Sequence, residues 1–446
     1  MDGGDGNFGW GRIVRLGLVQ AALGAIVVLT TSTLNRIMVV ELALPALLPG
    51  VLVAVHYAMQ VTRPRMGHGS DRGARRTPWI VGGMATLAAS GTLAALATVW
   101  MATRPVAGAL LAALAFAGIG LGVSASGTSL LVLLAKRVAP TRRAAAATVV
   151  WLMMIVGFAV TAGVAGKLLD PYSPARLIAV TGGVSLLAFV LTLLALAGLE
   201  GRAAVPEAPE DEPDAREFRA ALRAVWADAR ARRFAVFVFV SMLAYSAQDL
   251  ILEPFAGAVM GFTPGESTSL SGVQHGGVLV GMLMAAAAGT RWRGRQIGTL
   301  RGWTVGGCVA SALAMAGLAM AGITGPSWPF RPTVFVLGVA NGAFSIAAIG
   351  SMMQLASEGV GSREGVRMGL WGAAQAIAFG LGGLAGTAAS DLARLFFAAP
   401  GAAYASVFAF EAVMFLVAAH IAAGRAASGA DGQNAGLAAG TMGSSA

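Results

Sequence analysis

The chain reads as an all-α polytopic membrane protein with about twelve transmembrane helices in two six-helix halves, and three observations lead there. Of its 446 residues, 57% are apolar before any of the 61 glycines is counted, and only 12% are charged. Soluble domains average about 45–50% apolar and about 25% charged, so a chain of this size with so few charges cannot solvate a globular surface. Apolar runs long enough to cross a hydrocarbon core, which takes about 20 helical residues, recur along the chain. One long polar interruption, Glu200 to Arg233, falls near the middle. A single soluble domain, a disordered chain and a disulfide scaffold are excluded. The one cysteine, Cys308, lies in an apolar run and permits neither an intrachain disulfide nor a Cys-based metal cluster.

In chain order the spans fall near residues 16–36, 45–63, 78–101, 106–135, 144–168 and 175–199, then 234–256, 269–289, 301–323, 332–355, 366–390 and 402–423. This divides the chain into a first half (1–199), a linker (200–233), a second half (234–424) and a Gly/Ala/Ser-rich tail (425–446) that is expected to be disordered. The segment Met1–Arg15 is polar, then glycine-rich, and runs into an apolar stretch too long for a signal h-region, so no cleavable leader is expected. The linker opens with the acidic, proline-rich PEAPEDEPD, a composition that resists folding. It closes with REFRAALRAVWADARARR, whose Phe218, Leu222, Val225 and Trp226 recur at helical spacing. A cytoplasmic helix lying on the membrane surface is expected there.

The net charge of +10 raises the question of nucleic acid. Placing both termini and the linker in the cytoplasm puts 25 of the 31 Lys and Arg residues on that side and leaves six opposite: Arg36, Arg104, Lys167, Arg176, Arg331 and Arg394. Concentration of Lys and Arg in cytoplasmic loops accounts for the charge, so no nucleic-acid partner is expected. After span two, GHGSDRGARR offers Gly67, Asp71, Arg72, Arg75 and Arg76 in an order that resembles the loop between the second and third helices of the major facilitator superfamily. Asp71 suits a helix end and the arginines suit the cytoplasmic face. The second glycine of that pattern falls on Ala74, with Gly73 one place early. The plainer reading is an ordinary positive-inside loop.

Ionisable groups at mid-membrane cost about 2.5–3.5 kcal/mol each on insertion scales, so those present need partners or a task. The two halves echo each other. His56 precedes Arg72, and His275 precedes Arg291, by the same 16 positions, in equivalent spans two and eight. Asn35, Arg36 and Glu41 stand near the non-cytoplasmic end of span one, and Gln248, Asp249 and Glu253 near that of span seven. Sites in repeat-built transporters form between such halves. His56, Gln60 and Arg63 follow i, i+4, i+7 and share one helix face; His275 sits in VQHGG, where Gly276 and Gly277 remove bulk beside the ring. A neutral imidazole can offer a lone pair to a metal, including a magnesium held in a macrocycle. The alternative is a histidine bonded to a neighbouring helix. The two acidic and amide clusters suit gating or proton coupling, or simply pair with each other at a polar boundary.

Asn341, framed by Gly338 and Gly342, is a further candidate, although small-xxx-small spacing explains that stretch through helix packing. Glu411 and His420 are expected to be lateral or interfacial. The glycine-rich stretches at 118–127, 162–166 and 380–386 suit close helix packing, or a flat face for a large planar lipid-soluble molecule. There is no Walker loop, no HExxH and no serine-triad order, so no catalytic residue is assigned and neither an enzyme nor a primary pump is expected.

Three stretches, RLGLVQAALGAIVVLTTSTLNRIMVVELALPALLPG, RPRMGHGSDRGARRTPWI and AAAATVVWLMMIVGFAVTAGVAGKLLDPYSPARL, resemble the bacteriochlorophyll delivery family of the major facilitator superfamily, typified by PucC- and LhaA-like light-harvesting assembly proteins. The segment Thr33 to Leu42 is the most characteristic. The resemblance covers nearly the whole chain apart from the acidic linker and the tail. The loop after span two is shorter and differently written than in the antenna-assembly members, so the chain is similar to a sister branch associated with bacteriochlorophyll synthesis.

The resemblance implies a multi-pass protein of the inner, intracytoplasmic photosynthetic membrane. It would act in supplying bacteriochlorophyll or in assembling pigment-protein complexes, with membrane lipid, pigment, and antenna polypeptides or a pigment synthase as partners. On this reading bacteriochlorophyll or a late precursor is bound cargo, held by His56 or His275 as axial ligand with Gln60 and Asn341 as further contacts. The competing expectations are a proton-coupled exporter of amphipathic molecules, working through Glu41, Asp249 or Glu253, and a pigment-free assembly scaffold.

Overall fold

The structure is a computed structural model and describes residues 8–63, 75–200, 223, 226–289, 298–357 and 364–424. Every regular element among these residues is helical. Inside lipid no water can satisfy an exposed N–H or C=O, so each segment closes its hydrogen bonds within itself. The first half holds α1 (Trp10–Glu41), α2 (Leu47–Thr62), α3 (Thr77–Met101), α4 (Pro105–Arg137), α5 (Arg143–Leu169) and α6 (Pro174–Leu196). The second holds α7 (Ala229–Ala258), α8 (Pro264–Gly289), α9 (Leu300–Thr324), α10 (Phe330–Ser357), α11 (Glu364–Phe396) and α12 (Pro400–Ala423). Among the described residues eleven helices are long and apolar enough to cross a membrane, and the shorter α2 makes twelve.

The expected spans all appear, with altered bounds. α1 starts at Trp10 and runs on to Glu41 rather than stopping near residue 36, because its polar end is housed by protein and does not mark the membrane boundary. Its last third is interrupted by two five-residue π-helical stretches, Leu29–Thr33 and Ile37–Glu41. Such wide turns are rare and collect at functional sites. The final residues of the expected surface helix, from Ala229 to Arg233, form the start of α7. Residues 201–222, 224, 225 and the tail from 425 lie outside the described residues.

Helix starts follow local chemistry. Proline occupies the first turn of α3, α4, α6 and α12, where its missing N–H has no intrahelical partner to lose. Ser173 accepts from the Arg176 N–H at 3.1 Å, Asp228 from Arg230 at 2.9 Å and Thr299 from Gly302 at 3.0 Å. α9 ends at Gly325, whose φ of +70° belongs to the left-handed region that favours glycine.

Within the halves α1 packs on α5 and α6, α3 on α4 and α6, α7 on α11 and α12, and α9 on α10 and α12. Two long seams join the halves, α5 against α8 and α2 against α11, and α1 meets α7 between them. The second half is cored by aromatics: Phe255 meets Phe330, Tyr404 and Phe408 edge-on at centroid distances of 5.4, 5.5 and 5.0 Å. The first half is packed by small and aliphatic side chains around the buried Phe116. α8 and α10 approach until Gly277 and Gly281 face the α10 backbone and Gly338 and Gly342 face that of α8, so that a Cβ at any of the four would collide with it.

One clasp ties the end of the first half back to its middle. The Glu200 carboxylate, past the end of α6, accepts the N–H groups of Arg76 and Thr77 at 2.6 and 2.7 Å and the Thr77 hydroxyl at 2.6 Å, capping α3. Burial pushes this carboxyl up, but the Thr77 side chain, the two N–H groups and the Arg76 charge together hold it below its ordinary value. A carboxyl with a depressed folded pKa stabilises the fold above its unfolded pKa, and that stability is lost as pH falls through the folded one. Glu200→Ala is expected to lower stability near neutral pH by about 1 kcal/mol, typical of a lost cap. Thermal unfolding of both chains in detergent should show the gap narrowing as the pH drops below the ordinary carboxyl range.

Candidate functional site

The polar clusters of spans one and seven are joined in the structure. Arg36 is only 2% exposed; Nη1 pairs with Glu41 and Nη2 donates to the Phe262 carbonyl at 2.8 Å. Gly257 on α7 makes room for it, since a Cβ there would stand 2.9 Å from Nη2. The Asn35 amide donates to the Leu250 carbonyl on α7 at 2.6 Å, and the hydroxyls of Thr33 and Thr268 lie 3.0 Å apart. Glu253 accepts from Ser271 on α8, and Asp249 accepts from Gln274 at 3.1 Å. Gln248 is fully buried beside Asp249. The expected internal pairing therefore holds for Arg36 with Glu41. Asn35, Asp249 and Glu253 instead reach other helices, and the whole forms one seam between α1, α7 and α8.

His56 and Gln60 are linked as their spacing suggests. Gln60 Oε1 accepts from Arg63, so its amide nitrogen faces His56 Nε2 at 3.0 Å and donates to it. The His56 ring is 2% exposed and meets Tyr57 edge-on at 4.9 Å. Nε2 is thus occupied and the ring hydrogen sits on Nδ1, which has no hydrogen-bond partner among the described residues. This is a histidine held by its own helix.

His275 has the opposite arrangement. Its Nδ1 lies 2.8 Å from the Ser271 carbonyl, an acceptor only, so Nδ1 carries the hydrogen and the lone pair is on Nε2. Nε2 makes no hydrogen bond among the described residues. The half-buried ring stands edge-on to Phe158 of α5 at 4.9 Å, on the seam between the halves. Gly276 opens on empty space, with nothing within 4 Å of where a Cβ would be, whereas Gly277 is taken up by the contact with α10.

Asn341 is drawn into the α9–α10 contact, where Oδ1 accepts from Ser311 at 2.8 Å. Most of the glycine-rich stretches serve close approach: Gly120 faces His56 and Met59, Gly166 faces α8, and Gly382 and Gly386 face α7. Gly163 is open, and a Cβ on Gly127 or Gly380 would meet only ordinary contacts. Of the loop motif, Gly67, Asp71 and Arg72 lie outside the described residues; Arg75 is exposed, and Arg76 donates its N–H to Glu200.

Glu411 departs from expectation. It is 1% exposed, not lateral, and neither carboxylate oxygen has a hydrogen-bond partner among the described residues. It shares the inward face of α12 with Phe408 and Phe415, three residues before and four after it, and that face is buried; His420 points outward. Sequence reading also missed an aromatic ladder across the halves. Tyr57 meets Phe379 at 5.8 Å, Phe379 meets Tyr245 at 5.9 Å, Tyr245 meets Phe344 at 6.5 Å and Phe344 meets Phe415 at 5.9 Å. Two of the chain's four tyrosines lie in it, a scarcity that could have marked them.

Solved transporters share this architecture. A point mutant of the nucleoside transporter NupG superposes with a TM-score of 0.66 at 12% identity, covering 93% of this chain and 99% of that one. A bacterial homologue of the human lysosomal transporter Spinster, inward-facing and unoccupied, gives 0.61 at 15% identity over 93% and 95%. The fold is that of the major facilitator superfamily. Among curated proteins, the bacteriochlorophyll synthase 44.5 kDa chain of Rhodobacter capsulatus is 54% identical, covering 94% of this chain and 96% of its own length. Protein PucC of Cereibacter sphaeroides is 32% identical over 90% and 89%. The family model described as PUCC protein matches residues 33–428, from the polar end of α1 to beyond α12. With nearly the whole chain matched, this twelve-helix membrane protein belongs to the PucC family.

Proposed function

We propose that the chain is a non-enzymatic pigment carrier. It binds bacteriochlorophyll or a late precursor at the seam between its halves and passes it to a synthase or antenna polypeptide in the photosynthetic membrane. The observation that carries this reading is His275, whose Nδ1–H is committed to the Ser271 carbonyl at 2.8 Å and whose Nε2 lone pair is left for a metal. A ring held in one tautomer by its second nitrogen is the usual condition of a metal-ligating histidine. Gly276 leaves space beside the ring, and Phe158 gives it an aromatic neighbour. The name of the Rhodobacter capsulatus relative supports a task close to pigment synthesis, and a transporter-type fold supports carriage over catalysis. Of the two histidines, His275 is the proposed axial ligand and His56 a structural residue, with its Nε2 taken by Gln60.

A proton-coupled exporter is the second reading, and buried acids favour it. Glu253 Oε2 and both oxygens of Glu411 lack hydrogen-bond partners among the described residues, an expensive state in a bilayer that is retained where it serves function. Glu41 is less suited, being bound to Arg36 and 34% exposed.

An absorption spectrum of the protein, purified in mild detergent from a host that makes bacteriochlorophyll, tests the first reading. Pigment near one per chain is expected with the parent and with His56→Leu, and loss of most of it with His275→Leu. Pigment retained by His275→Leu would refute the ligand assignment, and a colourless parent that captures antenna or synthase subunits would favour a scaffold. For the exporter, liposomes carrying an internal pH dye should acidify or alkalinise with amphipathic substrate. Glu253→Gln and Glu411→Gln would then each cut that flux at least tenfold, while unchanged flux in both would remove the acids from the mechanism.

A further inference from the structure

Two carboxylates tie the halves together at one end of the bundle, and the repeat relates them to each other. Asp170, just past the end of α5 in the first half, reaches the start of α8 in the second. One of its oxygens accepts the Gly265 N–H at 3.3 Å and the other the Thr263 hydroxyl at 2.9 Å. Asp391, near the end of α11 in the second half, reaches the start of α2 in the first. Its two oxygens accept the N–H groups of Ala46 and Leu47 at 3.0 and 2.7 Å. Helices α5 and α11, and likewise α2 and α8, hold the same places in their six-helix halves. The packing beneath each carboxylate matches as well. Four residues before Asp170, Gly166 lies so close to α8 that a Cβ would collide with Ser269. Four residues before Asp391, Thr387 stands where a Cβ on Gly50 of α2 would fall. Each half thus provides the acid for one tie and the helix start for the other.

We propose that Asp170 and Asp391 are paired latches: they hold the halves shut at the end of the bundle opposite the chain termini, and the seam opens at that end only when both let go. The first N–H groups of a helix have no intrahelical partner and stand at the positive end of its dipole. A carboxylate placed there makes strong, charge-assisted bonds. Both carboxylates are half-buried at the edge of the interface, so water can take over their bonds on release. Arg36, donating to the Phe262 carbonyl just before α8, adds a further bond between the halves at the same end. Halves pinned at one end rock about it and part at the other. His275 lies ten residues beyond Gly265, about 15 Å along α8 at 1.5 Å per residue, so while the latches hold it is reached from the end where the chain enters and leaves. The latching rests on contacts at these helix ends and is independent of what cargo the seam carries.

Pulsed spin-label distance measurements on the full chain in liposomes test it. Labels go on Thr103→Cys between α3 and α4 and Ser327→Cys between α9 and α10, both exposed at the latched end, with the buried Cys308→Ala as background. The parent is expected to show one short-distance population. Asp170→Ala with Asp391→Ala should raise the longer-distance population at least threefold, and each alone by less than half as much, because the remaining latch still pins the halves. Glu200→Ala, which removes a carboxylate cap lying within one half, should leave the distances unchanged. Asp170→Asn with Asp391→Asn keeps the side-chain shape, removes the charge and supplies the same comparison should the alanine pair fail to fold, which thermal unfolding checks. Distances unchanged in a folded double variant, or broadened equally by Glu200→Ala, would overturn the proposal.

Discussion

Everything in this fold depends on how closely helix backbones can approach one another in a solvent as apolar as their own side chains. Lipid removes the hydrophobic drive that holds soluble bundles together, so association rests on van der Waals contact and on polar groups finding partners. Glycine supplies the first at the junctions that matter. Gly166 and Gly265 bring α5 against α8, and Gly382 and Gly386 bring α11 against α7. Where α1 meets α7 and α8, polar side chains find partners across the halves, and the seam of Asn35, Arg36, Asp249, Glu253 and Ser271 follows.

That order of cause explains the contrast between the halves. The first half uses small residues and a single large buried aromatic among its spans, and it presents polar groups to its partner. The second is locked by rings around Phe255 and Phe344. Between them runs the ladder from Tyr57 to Phe415, beside a carboxylate, Glu411, that makes no hydrogen bond among the described residues.

Much of this was legible in the sequence. Apolar run lengths located the twelve helices, because the bilayer imposes one length scale on every span. The candidate polar residues were visible because each is costly in lipid. Their partners were not. Nothing in the spacing of Asn35 and Gln248 says that α1 and α7 meet, since that depends on tertiary contact. The two π-helical stretches in α1 shift the side-chain register, so a regular 3.6-residue reading misplaces the faces beyond Leu29. The histidines looked equivalent by position and differ only in which ring nitrogen the neighbours engage. Glu411 looked peripheral because a last span has an outward face, and only the packing of α12 against α7 and α9 shows that it points inward.

The Glu200 clasp has a consequence for the connection between the halves. With this residue pinned to the first turn of α3, the tether to α7 departs from a stationary anchor rather than from a fraying helix end. A single carboxylate therefore joins two tasks, capping α3 and fixing where the first half hands over to the second.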